Sequence, residues 1–486
     1  MRHPSTPLPT PSTDMGPLVA GIDLGTEGVR VCVLDLQGTL YAEAAEPIVT
    51  YETEAGGVEQ DPLDWWAALG RCLRSIGTRV DTRSIRALAV TSTSGTFVVL
   101  DARGRPLRRA LMYYDVRATQ EAREILTAVG GLTFVRPTDP LPKLLWLQRH
   151  EPDVWAQTCR VVHAADFVTG RLTGRWVTDW THALKTGHDP VRQVWSPALS
   201  VVGIDPERLP VVVPPGTPIG WVDARGAEWT GLRRGTLVVA GMTDGCAAQV
   251  AAGAVAPGEW CSVLGTTLVV RGVTEEPLRD PQGRVYCHRH PEGFWLPGGA
   301  SNTGGECLRK AFGHADLQAM DEQARACSPT GLIAYPLVRH GERFPFIAPQ
   351  AQGFLLGTPR SEFERYAAYL EGVAYVERLA YDLLTRLGAT VGDMVYTAGG
   401  GSRSEVWLQI RSDVLGRALV RPRYLGAAVG AAILAATAVV GDGLIARTRS
   451  MVRVDRTVVP RPHTQDLYTE AYTRFIEALR ARGYLE

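Results

Sequence analysis

One local pattern occurs twice in this chain, and it restricts the fold more than any other feature. The first copy reads Leu18-Val-Ala-Gly-Ile-Asp-Leu-Gly-Thr-Glu-Gly-Val-Arg-Val-Cys-Val-Leu-Asp-Leu36, and the second Glu259-Trp-Cys-Ser-Val-Leu-Gly-Thr-Thr-Leu-Val-Val-Arg-Gly272. Each is a short apolar strand, a Gly-Thr turn and a second β-branched strand. A hairpin that recurs about halfway along 486 residues predicts two related domains, and a chain of that length exceeds what one core comfortably fills. The division is expected near residue 253, with 17–252 as the N-terminal domain and 253–486 as the C-terminal one. Residues 1–16, rich in Pro, Ser and Thr, read as a disordered tail.

Helical patterns alternate with such strands. Ser361-Glu-Phe-Glu364 has the form of a capping box, and Phe363, Ala367, Leu370 and Ala374 keep a helical rhythm that runs to about Leu387, with Gly388 as the stop. Each domain is therefore expected to be α/β, a mixed sheet flanked by helices.

Several classes are excluded early. Formal net charge is zero, so nothing favours nucleic acid or an acidic membrane surface. The longest apolar stretch, Gly426 to Gly441, is mostly Ala, Val and Gly; it is too short and too weakly apolar to span a bilayer and predicts a buried, tightly packed helix. The tail lacks the apolar core of a signal peptide, which makes the cytoplasm the expected location. Eight cysteines without a Cys-x-x-Cys pair give no disulfide framework. In Cys287-His288-Arg289-His290 adjacent side chains of an extended segment point in alternate directions, so the run is expected to be a polar loop rather than a metal site. The only lysines are Lys143, Lys185 and Lys310, and none follows a glycine, which removes the Gly-Lys-Ser/Thr phosphate loop. There is no Gly-x-Ser-x-Gly elbow and no His-Glu-x-x-His, so hydrolase readings gain no support.

The chemistry concentrates in three segments. In Gly21-x-Asp23-x-Gly25-Thr26-x-Gly28-x-Arg30 the residues that follow favour a strand, whereas a dinucleotide fingerprint must open into a helix. The turn can instead cradle phosphate oxygens with its backbone N–H groups and the Thr26 hydroxyl. Asp23, too close for an anion to tolerate unaided, makes sense if Mg²⁺ sits between. Gly265-Thr266-Thr267 repeats the device. Next, Ala240-Gly-Met-Thr-Asp244-Gly245 follows the apolar run Leu237-Val-Val, a usual place for a catalytic carboxylate in α/β sheets. Phosphoryl transfer to an alcohol needs donors around the phosphates, Mg²⁺ and a carboxylate to accept the hydroxyl proton; Asp244 is the candidate base. Last, Ala398-Gly399-Gly400-Gly401-Ser402-Arg403-Ser404 lies between a strand and a helix, where glycines let a flat ring approach the backbone.

In this order and spacing the segments resemble the FGGY carbohydrate kinases of the actin-like ATPase superfamily. Supporting stretches run from about Val19 to about Ile445: Asp61-Pro-Leu-Asp-Trp-Trp66, Lys143-Leu-Leu-Trp146, Arg171-Leu-Thr-Gly174, Thr178-Asp179-Trp180 and Leu425-Gly-Ala-Ala-Val-Gly-Ala-Ala432. The resemblance implies two ribonuclease-H-like domains with ATP in a cleft between them. It also implies Asp244 as base and Asp23, Gly25, Thr26 and Gly28 at the phosphates, Asp23 doubling as Mg²⁺ ligand. Gly265, Thr266 and Thr267 become the second phosphate clamp, and Gly400, Gly401 and Arg403 the adenosine pocket. The N-terminal domain then binds a small sugar, the C-terminal domain binds nucleotide, and hinge closure brings the two together; a homodimer is left open.

For the acceptor, Ser94, Tyr113, Asp115 and Asp244 supply the short polar groups that a polyol pocket needs. Asp115-Val-Arg117 is equally readable as a structural ion pair, and Trp180 and His182 as cover or packing. Ordinary xylulokinases carry Ser-Gly-Gln-Met-His-Gly and Trp-x-Asp-x-Arg where this chain has Ser94-Gly-Thr96-Phe97 and Tyr113-Tyr-Asp115. With Gly298-Gly-Ala-Ser-Asn-Thr-Gly-Gly305, these segments are similar to the cyanobacterial and plant D-ribulose-kinase-like subgroup, which implies D-ribulose as acceptor. D-xylulose or another polyol, or an actin-like ATPase or regulatory protein without sugar turnover, are the alternatives.

Overall fold

The computed structural model describes residues 16–54, 56–128 and 135–485; most of the expected tail lies outside them. The chain divides into two compact units. The first comprises residues up to Ala251 together with Gly426–Met451, the second Ala252–Leu425 together with Val452–Glu486.

In the first unit, β1 (Leu18–Leu24) and β2 (Gly28–Asp35) form the expected antiparallel hairpin, extended by β3 (Leu40–Pro47) on the β2 side. On the other side β1 pairs in parallel with β4 (Ile85–Ser92), and β4 in parallel with β5 (Leu237–Val239). Val, Ile, Leu and Ala fill these strands, and β1 is buried along its whole length, as befits a strand covered on both faces. A second, five-stranded sheet is built from short strands that include Val58–Gln60, Phe97–Leu100, Ala110–Leu111 and Arg160–His163, and has its own apolar cluster around Phe97, Leu111 and Leu144.

The second unit repeats the arrangement. Strands β6 (Trp260–Leu264) and β7 (Leu268–Gly272) form a hairpin, β8 (Trp295–Ala300) adds antiparallel to β7, and β9 (Met394–Ala398) and β10 (Ala418–Pro422) continue in parallel from β6. The order β3-β2-β1-β4-β5 in one unit thus matches β8-β7-β6-β9-β10 in the other, the duplicated ribonuclease-H-like order of the actin-like fold.

Asp244–Ala252 (α1) follows β5, and α2 (Glu306–Phe312), α3 (Glu362–Arg386) and α4 (Glu405–Leu415) belong to the second unit. Ser361 caps α3 by accepting from Glu364 N at 3.2 Å, and Gly388 sits at φ +96° just past its end. The reciprocal half of the capping box is absent: the Glu364 carboxylate takes the N–H and guanidinium of Arg360 instead.

Two expectations need correction. The apolar stretch does form a buried helix, Ala427–Val440, but it belongs to the first unit and not with the rest of 253–486. Small residues make that packing possible: a Cβ on Gly21 would lie 1.8 Å from the Ala428 carbonyl, and one on Gly430 1.8 Å from that of Ala247. Among the described residues no single helix is long and apolar enough to cross a membrane. Tyr286–Arg289, expected as loop, is an edge strand paired with β8, because Tyr286 and His288 alternate with Cys287 and Arg289 along one extended segment.

Candidate active site

In the first unit the carboxyl ends of three neighbouring parallel strands bring the predicted groups together, the position where open α/β sheets place their chemistry. Asp23 is the penultimate residue of β1, Ser94 lies two residues beyond β4, and Asp244 opens α1 shortly after β5. An isolated parallel bridge between Ser92 and Thr243 extends the pairing to the residue before Asp244, and the Thr91 hydroxyl donates to the Met242 carbonyl at 2.5 Å.

Asp23 is buried, with the half-exposed Arg30 3.5 Å from its Oδ2; its Oδ1 is buried without a hydrogen-bond partner. Burial first, and the Asp244 carboxylate second, push its pKa up to about 7 against the opposing pull of Arg30. Asp244 Oδ1 accepts from Gly245 N at 2.6 Å, and its side chain is half-buried. The hairpin turn closes through Gly25 N to Gly28 O at 3.0 Å, and Gln60 holds the Thr26 carbonyl at 2.8 Å. The Thr26 hydroxyl lies 3.5 Å from the Tyr113 hydroxyl, which joins the hairpin turn to the segment around Tyr113. Gly28 has a packing reason of its own, since a Cβ there would meet the Glu46 carbonyl of β3 at 2.3 Å.

The residues expected to meet the acceptor divide. Ser94 Oγ is buried and unpartnered, and Tyr113 is half-buried. Asp115 is fully buried and already engaged: its carboxylate takes Val58 N at 2.7 Å and the N–H groups of Arg117 at 3.0–3.1 Å, and Arg117 in turn reaches Glu59. Of the two readings of Asp115, the geometry is that of the ion pair. His182 and Trp180 are buried side chains and not a cover.

Sequence reasoning missed the lysines. Lys143 Nζ donates to Met112 O at 2.8 Å and Gly95 O at 3.3 Å, while Lys185 Nζ donates to Ser94 O at 3.0 Å. Two of the chain's three lysines therefore grip the Ser94–Gly95 turn. The signal was present: in a chain that uses arginine almost everywhere, a retained lysine marks a place where a compact charge is required.

In the second unit, the Gly265–Thr267 turn and the glycine loop occupy the ends of the adjacent parallel strands β6 and β9. Gly399, at φ +87°, and Gly401 pack against Leu264, the last residue of β6. Gly400 is exposed with open space where a Cβ would be, and Arg403 is exposed beside it. Gly305 N and Glu306 N donate to the carbonyls of Gly265 and Thr266, and Arg309 donates to the Thr266 hydroxyl at 3.0 Å. Beneath the segment 301–303, Glu342 accepts from Ser301 Oγ, Asn302 N, Thr303 Oγ1 and Tyr335 OH.

The relatives agree with this architecture. The chain is 31% identical over 435 residues to a xylulose kinase of Escherichia coli K12, covering 85% of this chain and 89% of the relative. To a xylulose kinase of Streptomyces rubiginosus it is 32% identical over 441 residues, 88% and 89% of the two chains. The solved structure of a xylulose kinase from Rhodospirillum rubrum superposes with a TM-score of 0.85 at 28% identity, covering 96% of this chain and 98% of that one. Residues 18–251 match the N-terminal domain of the FGGY carbohydrate kinases and residues 261–439 the C-terminal domain, in the order of the two units; the chain belongs to the FGGY family of carbohydrate kinases and is a sugar kinase.

Proposed function

We propose that this kinase transfers the γ-phosphoryl group of Mg-ATP to a hydroxyl of a ketopentose, with D-xylulose the first acceptor. The observation that carries the chemistry is the pairing of Asp244 with Asp23 at the carboxyl ends of β1 and the β5 connection, beside the unpartnered Ser94 hydroxyl. Asp244 accepts the acceptor's hydroxyl proton as the oxygen attacks phosphorus. Ser94 and Tyr113 orient the sugar, and the Thr26 and Thr266–Thr267 turns hold the phosphates. Gly400, Gly401 and Arg403 hold the adenosine.

The residues fit Mg²⁺. That ion keeps most of its waters and takes one or two carboxylates plus phosphate oxygens. Asp23, with a buried oxygen unpaired and a second carboxylate close by, is such a donor; among the described residues no larger cluster of metal-ligating side chains occurs. When bound, Mg²⁺ neutralises charge on the phosphate oxygens.

D-ribulose, the acceptor expected from the local segment, becomes the second reading, since the relatives that cover most of this chain are named xylulose kinases. One observation keeps it. Thr96 and Phe97, which stand where ordinary xylulokinases carry other residues, are turned inward: Thr96 Oγ1 lies 2.7 Å from Thr93 Oγ1 and accepts from Tyr113 N, and Phe97 is buried. A coupled ADP-release assay with Mg-ATP against D-xylulose, D-ribulose, L-ribulose, L-xylulose, ribitol and glycerol decides. Preference for D-xylulose supports the main reading, and preference for D-ribulose the second. ADP release no faster with any sugar than in the blank would remove both.

A further inference from the structure

The segment Asp179–His182 has no part in the chemistry above, yet both strand ends that carry it rest on this segment. Asp179 caps the short helix Trp180–Ala183: its Oδ1 accepts from Thr181 N at 2.8 Å, Thr181 Oγ1 at 2.5 Å and His182 N at 3.2 Å, and its Oδ2 is bonded to His182 Nδ1. From this cap two bonds run outward. His182 Nε2 lies 2.9 Å from Ser92 Oγ at the end of β4. Thr181 Oγ1 accepts from the backbone N–H of Thr243, the residue before Asp244, at 2.8 Å. Ser92 and Thr243 are themselves bridged, so the cluster closes a ring around the base of Asp244. Asp179, Thr181, His182 and Ser92 are all within 2% of complete burial.

The His182 imidazole faces three carboxylates, Asp179, Asp166 and Asp244, and stands 5.6 Å, ring to ring, from His163. Burial disfavours its charge, but Asp179, together with Asp166 and Asp244, outweighs burial and lifts its pKa to about 9, which favours protons on both ring nitrogens at neutral pH. Nε2 then donates to the Ser92 hydroxyl oxygen, which also accepts from Ala165 N at 3.2 Å. The side-chain polar atoms of Asp179, Thr181 and His182 are all engaged, and such a buried network holds geometry rather than merely filling space.

We propose that Asp179, Thr181 and His182 are positioning residues for Asp244, fixing the residue that precedes the base, Thr243, and the end of the neighbouring strand, Ser92. This rests on the reading of Asp244 as the general base. A misplacement of that base by about 1 Å costs on the order of 10²-fold in turnover while leaving substrate binding largely intact.

The test is the kcat-against-KM split of a set of variants in the ADP-release assay, with thermal unfolding recorded in parallel. Thr181→Val removes the acceptor of Thr243 N–H, and Thr181→Ser restores it. The valine variant is expected to lose about 10- to 100-fold in kcat, with KM for ATP and sugar within about twofold, and the serine variant to stand within about threefold of the parent. His182→Leu should lose kcat as Thr181→Val does, and His182→Gln, which keeps a donor toward Ser92, should recover part of it. Equal kcat in the valine and serine variants would overturn the proposal, whatever their unfolding temperatures, and that comparison still decides if the His182 variants do not fold. Failure of the general-base reading shows separately, as Asp244→Asn with undiminished kcat.

Discussion

The side-chain nitrogen of Lys143 lies 2.8 Å from the carbonyl oxygen of Met112, in a position with no exposure to solvent. It therefore ties the segment before Tyr113 to the Ser94–Gly95 turn, whose Gly95 carbonyl it also reaches. Burial pulls its pKa down to about 7, although the carboxylates of Asp115 and Asp139 oppose the shift. The unfolded chain, with an ordinary lysine pKa, binds more protons between about pH 7 and 10.5. Stability from this group therefore rises with pH across that window. Relative to Lys143→Met, the parent protein should gain about 1 kcal/mol per pH unit in urea unfolding between pH 7 and 9.5. The methionine variant should also raise KM for the sugar about tenfold and leave KM for ATP unchanged. A flat difference across pH would mean that the buried nitrogen keeps its proton throughout, as it does in the unfolded chain.

Asp244→Asn keeps the shape of the side chain and its place at the start of α1 but removes the basic oxygen. Turnover should fall by roughly 10²–10⁴-fold, with nucleotide affinity nearly unaltered in a binding titration. Parent-like turnover would remove Asp244 from the role of base.

Asp23 titrates with the opposite sign. Its folded pKa, about 7, stands above the ordinary carboxylate value of 3.8. The stability that goes with the protonated form is complete below about pH 4 and lost as pH rises through 7. Asp23→Asn, neutral throughout, should match the parent near pH 4 and exceed it by roughly 2–4 kcal/mol at pH 8 in Mg²⁺-free buffer. Millimolar Mg²⁺ should narrow that gap by stabilising the parent alone, and the variant should be a poor kinase. A gain in stability accompanied by lost activity is what a buried, underpartnered carboxylate kept for function predicts.

The parts of this molecule legible in the sequence are those whose cause is local. Both Gly-Thr hairpins, the Ser361 side-chain cap and the Gly388 stop depend on residues within a turn of one another, and they form, although Glu364 does not close the capping box. The acid at a strand's end was legible for the same reason, since Leu237-Val-Val followed by Gly and Asp is a strand and its exit. What was hidden depends on long-range return of the chain. Nothing near residues 427–440 says that this helix packs on β1, some four hundred residues earlier; only the close approach of Gly21 to Ala428 reveals it. Asp115 looked equally suited to a sugar or to Arg117 until Val58, from a strand more than fifty residues earlier, gave its N–H to one of its oxygens. The Lys143 and His182 clusters likewise join segments tens of residues apart, so no window of sequence contains them.

In the second unit Arg411 and Glu377 form a bidentate pair at 2.6 and 2.8 Å, both side chains completely buried. The remaining Arg411 nitrogen donates to Thr397 Oγ1 at 2.8 Å, and Thr397 donates to the Ser262 carbonyl of β6 at 3.3 Å. The pair thus links α3 and α4 to the two strands that lead into the Gly265 turn and the glycine loop. Removing one partner strands a charge in the core, so Glu377→Ala or Arg411→Ala should each cost about 3–5 kcal/mol. Replacing both with apolar residues of similar volume, Arg411→Met with Glu377→Leu, removes the charges together and should restore most of that loss. Its kinetics then separate two roles. If the pair serves to orient Thr397 and the strand ends beyond it, the double variant will be stable but will raise KM for ATP severalfold, with KM for the sugar unchanged. If both constants stay at the parent values in a folded double variant, the pair contributes nothing to nucleotide binding, and its place between the two strands is a matter of packing alone.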